Sequence, residues 1–289
     1  MPDSAPRSAP PRAPSSPLPR AAASARRRGP ALVVWVIAGV ALALLVLPLL
    51  AILLSTPWPR IPALLVAPET VQALGLSVLT AVISTALCLL LGIPLAVVLA
   101  RSVAWPVVPR RLLRAAVTIP LVLPPVVGGL ALLLLLGRSG VLGRYLAALG
   151  VTIPFTTGAV VIAQTFVAMP FLVFAVEGAL RGADRRIELA AASLGASPWQ
   201  VFRTVTIPLI APGVAAGAVL CFARALGEFG ATITFAGSYL GVTRTLPIAS
   251  YLASQNDLSQ SIALALVLLV VSVGVLLGLR DRWLPGVRG

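Results

Sequence analysis

Every residue from Ala31 to Leu54 is apolar. A helix rises 1.5 Å per residue, so about 20 such residues cross the roughly 30 Å of hydrocarbon in a bilayer. The run is also longer than the apolar core of a cleavable signal peptide, about 7–15 residues, although Arg26, Arg27 and Arg28 precede it as they would in one. It therefore reads as a retained membrane span. Five further apolar runs follow near 73–100, 112–136, 156–179, 212–235 and 259–279. The expectation is an all-α, polytopic membrane protein with six transmembrane helices over 31–289. Residues 1–30, rich in Pro, Ala, Ser and Arg without apolar periodicity, read as a disordered tail.

The distribution of charge orients the chain. All 22 basic residues are arginine; lysine and histidine are absent. Six arginines precede the first span, four lie in the 101–114 connection, four in the 181–203 connection and three at the C-terminal end. The opposite side has only Arg60, Arg138, Arg144 and Arg244. Six spans bring both termini to one side, and the arginine excess makes that side cytoplasmic. A net charge of +14 would point to nucleic acid in a soluble chain. With 59% hydrophobic and 10% charged residues and a mean hydropathy of +1.03, topology control is the better reading, and no nucleic-acid partner is expected.

Missing residue types exclude functions. Without lysine there is no G-x-x-x-x-G-K-[ST] phosphate loop, so ATP hydrolysis by this chain is not expected. Without histidine, His-based acid–base catalysis and His-ligated metal sites are excluded. Cys88 and Cys221 lie in separate apolar runs and read as small core thiols; neither metal nor cofactor is expected. Pro94 and Pro170 interrupt the second and fourth runs, and Pro120, Pro124 and Pro125 precede Gly128 and Gly129 in the third. Such residues serve either helix packing or a bent helix that lines a pathway.

The connection 183–208 is far longer than the roughly two to eight residues that join neighbouring helices. Asp184 can cap a short helix on which Ile187, Ala190, Ala191 and Leu194 recur at helical spacing. Gly195 supplies a left-handed stop. Ser197 begins a second helix as N-cap, with Pro198 at N1 and Gln200 at N3 completing a capping box, and Pro208 is expected to end it. The product is a helix–glycine–helix knob with a small-residue face, suited to a partner's cleft. An amphipathic helix resting on lipid headgroups is the alternative.

This stretch resembles the EAA loop of ABC importer permeases, E-A-A-x3-G-x9-I-x-L-P. Leu189-Ala190-Ala191 takes the EAA positions, Gly195 follows after three residues, and Val205-Thr206-Ile207-Pro208 closes the motif. Leu189 replaces the glutamate, with Glu188 one position earlier, so a salt bridge from that family position is not carried over. The resemblance implies a type I importer permease fold. It also implies that Glu188, Ala190, Ala191, Gly195, Ala196 and Pro208 form the surface that meets a separate ATP-binding subunit.

The fifth run holds Arg224 and Glu228 one helical turn apart, and intramembrane charge is costly enough to count as a functional hypothesis. A structural pair, a gate pair and a direct anion ligand are the readings. The stretch from Arg224 to Gly237 resembles permeases of molybdate importers, as do Ile119–Gly129 and Thr243–Pro247; sulfate permeases are close relatives. The implied machine is a homodimer in the bacterial inner membrane. It would work with two ATP-binding subunits and a periplasmic molybdate-binding protein, and Arg224, Glu228, Thr232 and Thr234 are its pathway or gate candidates. Molybdate, or alternatively tungstate, sulfate or thiosulfate, is the expected cargo. An ion-coupled secondary transporter using Glu228 would have no use for the docking loop. An intramembrane enzyme would need a nucleophile with an acid–base pair that the sequence lacks.

Overall fold

The computed structural model describes residues 32–283, which leaves the tail of residues 1–30 outside the described residues. The chain divides into two units, 1–50 and 51–289. The first is represented by the apolar helix α1 (Leu32–Ser55), which continues into the start of the second. The second unit contains α2 (Ile61–Val66), α3 (Pro68–Arg101), α4 (Val107–Val122), α5 (Pro125–Leu136), α6 (Gly143–Ala148) and α7 (Thr157–Gly182). It continues with α8 (Arg185–Ser193), α9 (Pro198–Val201), α10 (Ile207–Leu226), α11 (Gly230–Ala236), α12 (Leu246–Ser254) and α13 (Leu258–Trp283). No strand occurs among the described residues.

Close packing of α3, α7 and α10 builds the main core. Between lipid-embedded helices, water provides no hydrophobic drive, so association depends on small residues that let backbones approach. On α3 the buried positions Ser77, Ala81, Ser84, Cys88, Gly92 and Ala96 form such a seam. On α10, Gly213, Gly217, Cys221 and Ala225 recur every fourth residue. A Cβ added at Gly217 would lie 2.9 Å from Leu172 Cδ1 and 3.1 Å from Ala175 Cβ, and one at Gly213 would strike Ala179 Cβ. Ser84 Oγ lies 3.1 Å from Val161 O and 3.0 Å from Gln164 Oε1, a polar tie from α3 to α7. Cys88 and Cys221, remote in sequence, meet in this core as free thiols.

Two expected spans are broken. The third, read as 112–136, is α4 followed by α5 with a bend of 116°. A proline disfavours the helical region for the residue before it, and here two are consecutive. Leu123 (ψ 131°) and Pro124 (ψ 132°) are accordingly extended. The fifth, read as 212–235, stops at Leu226 and resumes at Gly230. The breaks face each other. A Cβ on Gly230 would come 2.8 Å from Pro125 Cβ, and one on Gly129 would come 2.6 Å from Ala231 O. Leu132, Val160, Ala163, Ala231 and Phe235 close a second core around α5, α7 and α11.

Pro208 also departs from expectation. The second helix of the loop does not end there; it passes through a π-helical turn, Phe202–Thr206, directly into α10. The wider turn changes the bonding register just ahead of a residue that has no N–H, so the helix accommodates the proline. Among the described residues, four helices are long and apolar enough to cross a bilayer, five if the bent α4–α5 pair counts as one span. The apolar stretch described in α13, Leu258–Gly274, is shorter.

Replacing Gly217 with leucine should wedge α10 from α7 and cost about 1–3 kcal/mol by overpacking. Thermal unfolding of detergent-solubilised protein should show the loss, whereas leucine at Gly178, where no atom lies within 4 Å of an added Cβ, should leave stability unchanged.

Candidate functional site: a helical knob and a charged helix break

The knob between α7 and α10 is built by local chemistry. Asp184 Oδ1 accepts a hydrogen bond from Arg186 N at 2.9 Å and starts α8. Gly195 stops it at φ +86°, a conformation that costs an L side chain about 1–2 kcal/mol. Ser197 N donates to Gln200 Oε1 at 2.7 Å and Gln200 N donates to Ser197 Oγ at 3.3 Å, a capping box that opens α9. The stripe Ile187, Ala190 and Leu194 faces outward; Leu194 is 90% exposed and Trp199 67% exposed. Ala190, Gly195 and Pro208 are exposed, while Ala191 and Ala196 are half-buried.

Glu188 points the other way. Its Oε1 accepts from Thr206 Oγ1 at 2.6 Å, tying α8 to the π-helical turn at the root of α10. Thr206 is buried and Glu188 half-buried, so this charge-assisted bond is shielded from competing water. Thr206 was not singled out by sequence. Its position in the I-x-L-P segment carried no hint of a partner 18 residues earlier.

The second feature is the α10–α11 break. Glu228 is 1% exposed and sits in the non-helical link. Its Oε2 lies 2.6 Å from Arg224 Nη1, and its Oε1 accepts from Ala231 N at 2.8 Å. The carboxylate thus neutralises a guanidinium and satisfies a backbone donor released by the break. Thr234 Oγ1 donates to Gly230 O at 2.9 Å within α11. The Thr232 hydroxyl is buried and without a hydrogen-bond partner among the described residues. The four residues therefore lie along one break, and only Arg224 and Glu228 bond to each other.

A second charge cluster joins residues that the sequence reading leaves unconnected. Glu177, buried on α7, lies 2.6 Å from Arg114 of α4 and 2.7 Å from Arg181. By sequence Arg114 and Arg181 read only as topology signals. The i, i+4 spacing of Glu177 and Arg181 was legible, but Arg114 arrives from a helix 63 residues away. Arg244, in the Thr243–Pro247 segment, is likewise occupied: its Nε and Nη2 donate to Ser238 O at 3.2 and 3.1 Å and hold the 238–245 turn closed.

Residues 92–285 match the family of binding-protein-dependent transport system inner membrane components. The molybdenum transport system permease protein ModB of Mycobacterium tuberculosis is 55% identical over 236 residues, 82% of this chain and 88% of that protein. The protein of the same name from Haemophilus influenzae is 40% identical over 215 residues, 74% of this chain and 93% of that one. In architecture the chain is similar to a chain in the crystal structure of a bacterial ABC transporter involved in the import of the acidic polysaccharide alginate. The TM-score is 0.63 at 16% identity, over 88% of this chain and 96% of that one. This chain belongs to the binding-protein-dependent transport system inner membrane components and has the type I ABC importer permease fold.

Proposed function

We propose that this chain is the membrane-spanning subunit of an ATP-driven importer and forms the path by which molybdate crosses the bacterial inner membrane. The 55% identity to a molybdenum transport permease over 82% of the chain carries the choice of cargo. Six spans with both termini cytoplasmic, a homodimer, two ATP-binding subunits and a periplasmic molybdate-binding protein complete the machine. The arginine asymmetry supports the orientation. ATP hydrolysis belongs to the partner subunits, since this chain has no lysine for a phosphate loop.

In this reading the outward stripe of α8, with Ala190, Ala191, Gly195 and Ala196, inserts into a cleft of the ATP-binding subunit. Closure of two such subunits moves the knobs. Because α9 continues through the π-helical turn into α10, displacement of the knob reaches the Arg224–Glu228 break through one helical element. The Glu188–Thr206 bond keeps α8 from folding away from that lever. At the break, Arg224 and Glu228, with Thr232 and Thr234, act as pathway or gate residues. A broken span is easier to rearrange than a continuous helix because fewer backbone bonds must open. ATP drives the cycle by binding the two states of the assembly differently.

Proteoliposomes holding the chain, its ATPase and its binding protein should take up molybdate only with ATP, and tungstate should compete. Competition by sulfate but not by tungstate would overturn the cargo assignment. In the same vesicles Gly195→Val should abolish uptake through the conformational cost of a β-branched residue at positive φ, not through crowding, since no atom lies within 4 Å. Gly195→Asn, which tolerates that region, should retain uptake, and both variants should reach the membrane at normal levels. Glu188→Ala and Thr206→Val should each reduce the ATP hydrolysis stimulated by the loaded binding protein. Combined, they should do little more harm than either alone, because both remove one bond of a class worth about 1.5–3 kcal/mol.

A further inference from the structure

Behind α8, on the side away from its exposed stripe, lies a cavity of about 730 Å³. Its walls join the end of α3 and the turn after it, the end of α7, and the inner face of α8. Val97, Val103 and Leu180 supply apolar surface, while Arg101, Arg181 and Arg185 supply positive charge. Two carboxylates also line it, so three arginines against two acids leave the lining a net charge of +1. Asp184 accepts from the Arg186 backbone, and Glu188 accepts from Thr206. Arg181 is paired with Glu177. Arg101 and Arg185 make no ion pair among the described residues, which leaves two guanidinium groups free, one at the end of α3 and one on α8.

A planar guanidinium fork matches the oxygens of a phosphate, and apolar surface beside it matches the glycerol and first methylenes of a lipid. Inorganic phosphate would satisfy the arginines but leave the apolar walls wet. The neighbourhood is that of a membrane interface: Trp105 is 44% exposed, and α4 begins with exposed Val107 and Val108 beside Arg110 and Arg111. Basic pockets between transmembrane helices suit anionic lipid headgroups. At 100° per residue, Arg185 lies about 140–180° around α8 from Ile187, Ala190 and Leu194, and Glu188 about 100–160°. A lipid behind the helix therefore leaves the exposed stripe free.

We propose that this cavity binds the phosphodiester headgroup of an anionic phospholipid, clamped between Arg101 and Arg185, and that the bound lipid braces α8 against the ends of α3 and α7. The site is independent of which anion is transported and requires only that the chain sits in a bilayer.

The assembled transporter, purified from membranes and exchanged into phosphatidylglycerol or phosphatidylcholine, can be examined by native mass spectrometry. Phosphatidylglycerol should be retained through delipidation and phosphatidylcholine should not, a comparison that needs no variant. Arg101→Gln combined with Arg185→Gln should lower phosphatidylglycerol retention about tenfold or more, whereas Arg110→Gln with Arg111→Gln should leave it near the original level. Excess inorganic phosphate should not displace the lipid. Equal retention of the two lipids, full retention by the Arg101/Arg185 variant, or displacement by inorganic phosphate would overturn the proposal. Failure of the unmodified transporter to take up molybdate, with lipid retention intact, would count against the transport reading instead.

Discussion

A helix broken inside a bilayer exposes backbone donors and acceptors to hydrocarbon, where each unsatisfied group costs several kcal/mol. Among the described residues the chain has two helix breaks, at Leu123–Pro124 and at Gly227–Phe229, and packs them together. Glycine at 129 and 230 removes the side chains that would hold the two segments apart. Glu228 then takes up a backbone donor at Ala231 while its other oxygen meets Arg224. An unpaired buried charge would be far more costly than the pair, so the break, the glycines and the two charges form one interdependent unit. Around it, the uninterrupted helices α3 and α7 supply the rigid walls.

Those walls hold because small residues line their seams. The contacts made by Ser84, Gly92, Gly213 and Gly217 leave little room for adjustment, so relative movement of α3, α7 and α10 must come from rigid displacement, not from side-chain repacking. The knob has the complementary character. Its apolar stripe is exposed, its helices are fixed by caps, and it joins α10 without an intervening loop. From α9 through the π-helical turn, α10 runs without interruption to the charged break.

Arginine takes several roles in one chain. Arg114 and Arg181 converge on Glu177, Arg224 serves Glu228, and Arg244 closes a turn on Ser238. The planar fork allows this range because it can bind a carboxylate or a carbonyl with several donors while its stem packs on apolar surface.

The sequence by itself determined the features that depend on local chemistry and on length. Apolar runs longer than the bilayer is thick demand helices, and the Asp184 cap, the Gly195 stop and the Ser197–Gln200 box can be read from residues a few positions apart. The spacing of Ala190, Ala191, Gly195 and Pro208 was enough to indicate the family. Tertiary structure decided the rest. Hydropathy reports that a segment prefers lipid but not whether it crosses straight, so the 116° bend at Leu123–Pro124 and the end of α10 at Leu226 were invisible as geometry. Pro208 looked like a stop because a proline removes one bond, and only the π-helical turn before it shows how the helix continues. The partners of Glu177, of Thr206 and of the two cysteines lie on other helices. Nothing in a linear pattern states which faces will meet, because that is set by how small-residue seams on separate helices fit against one another.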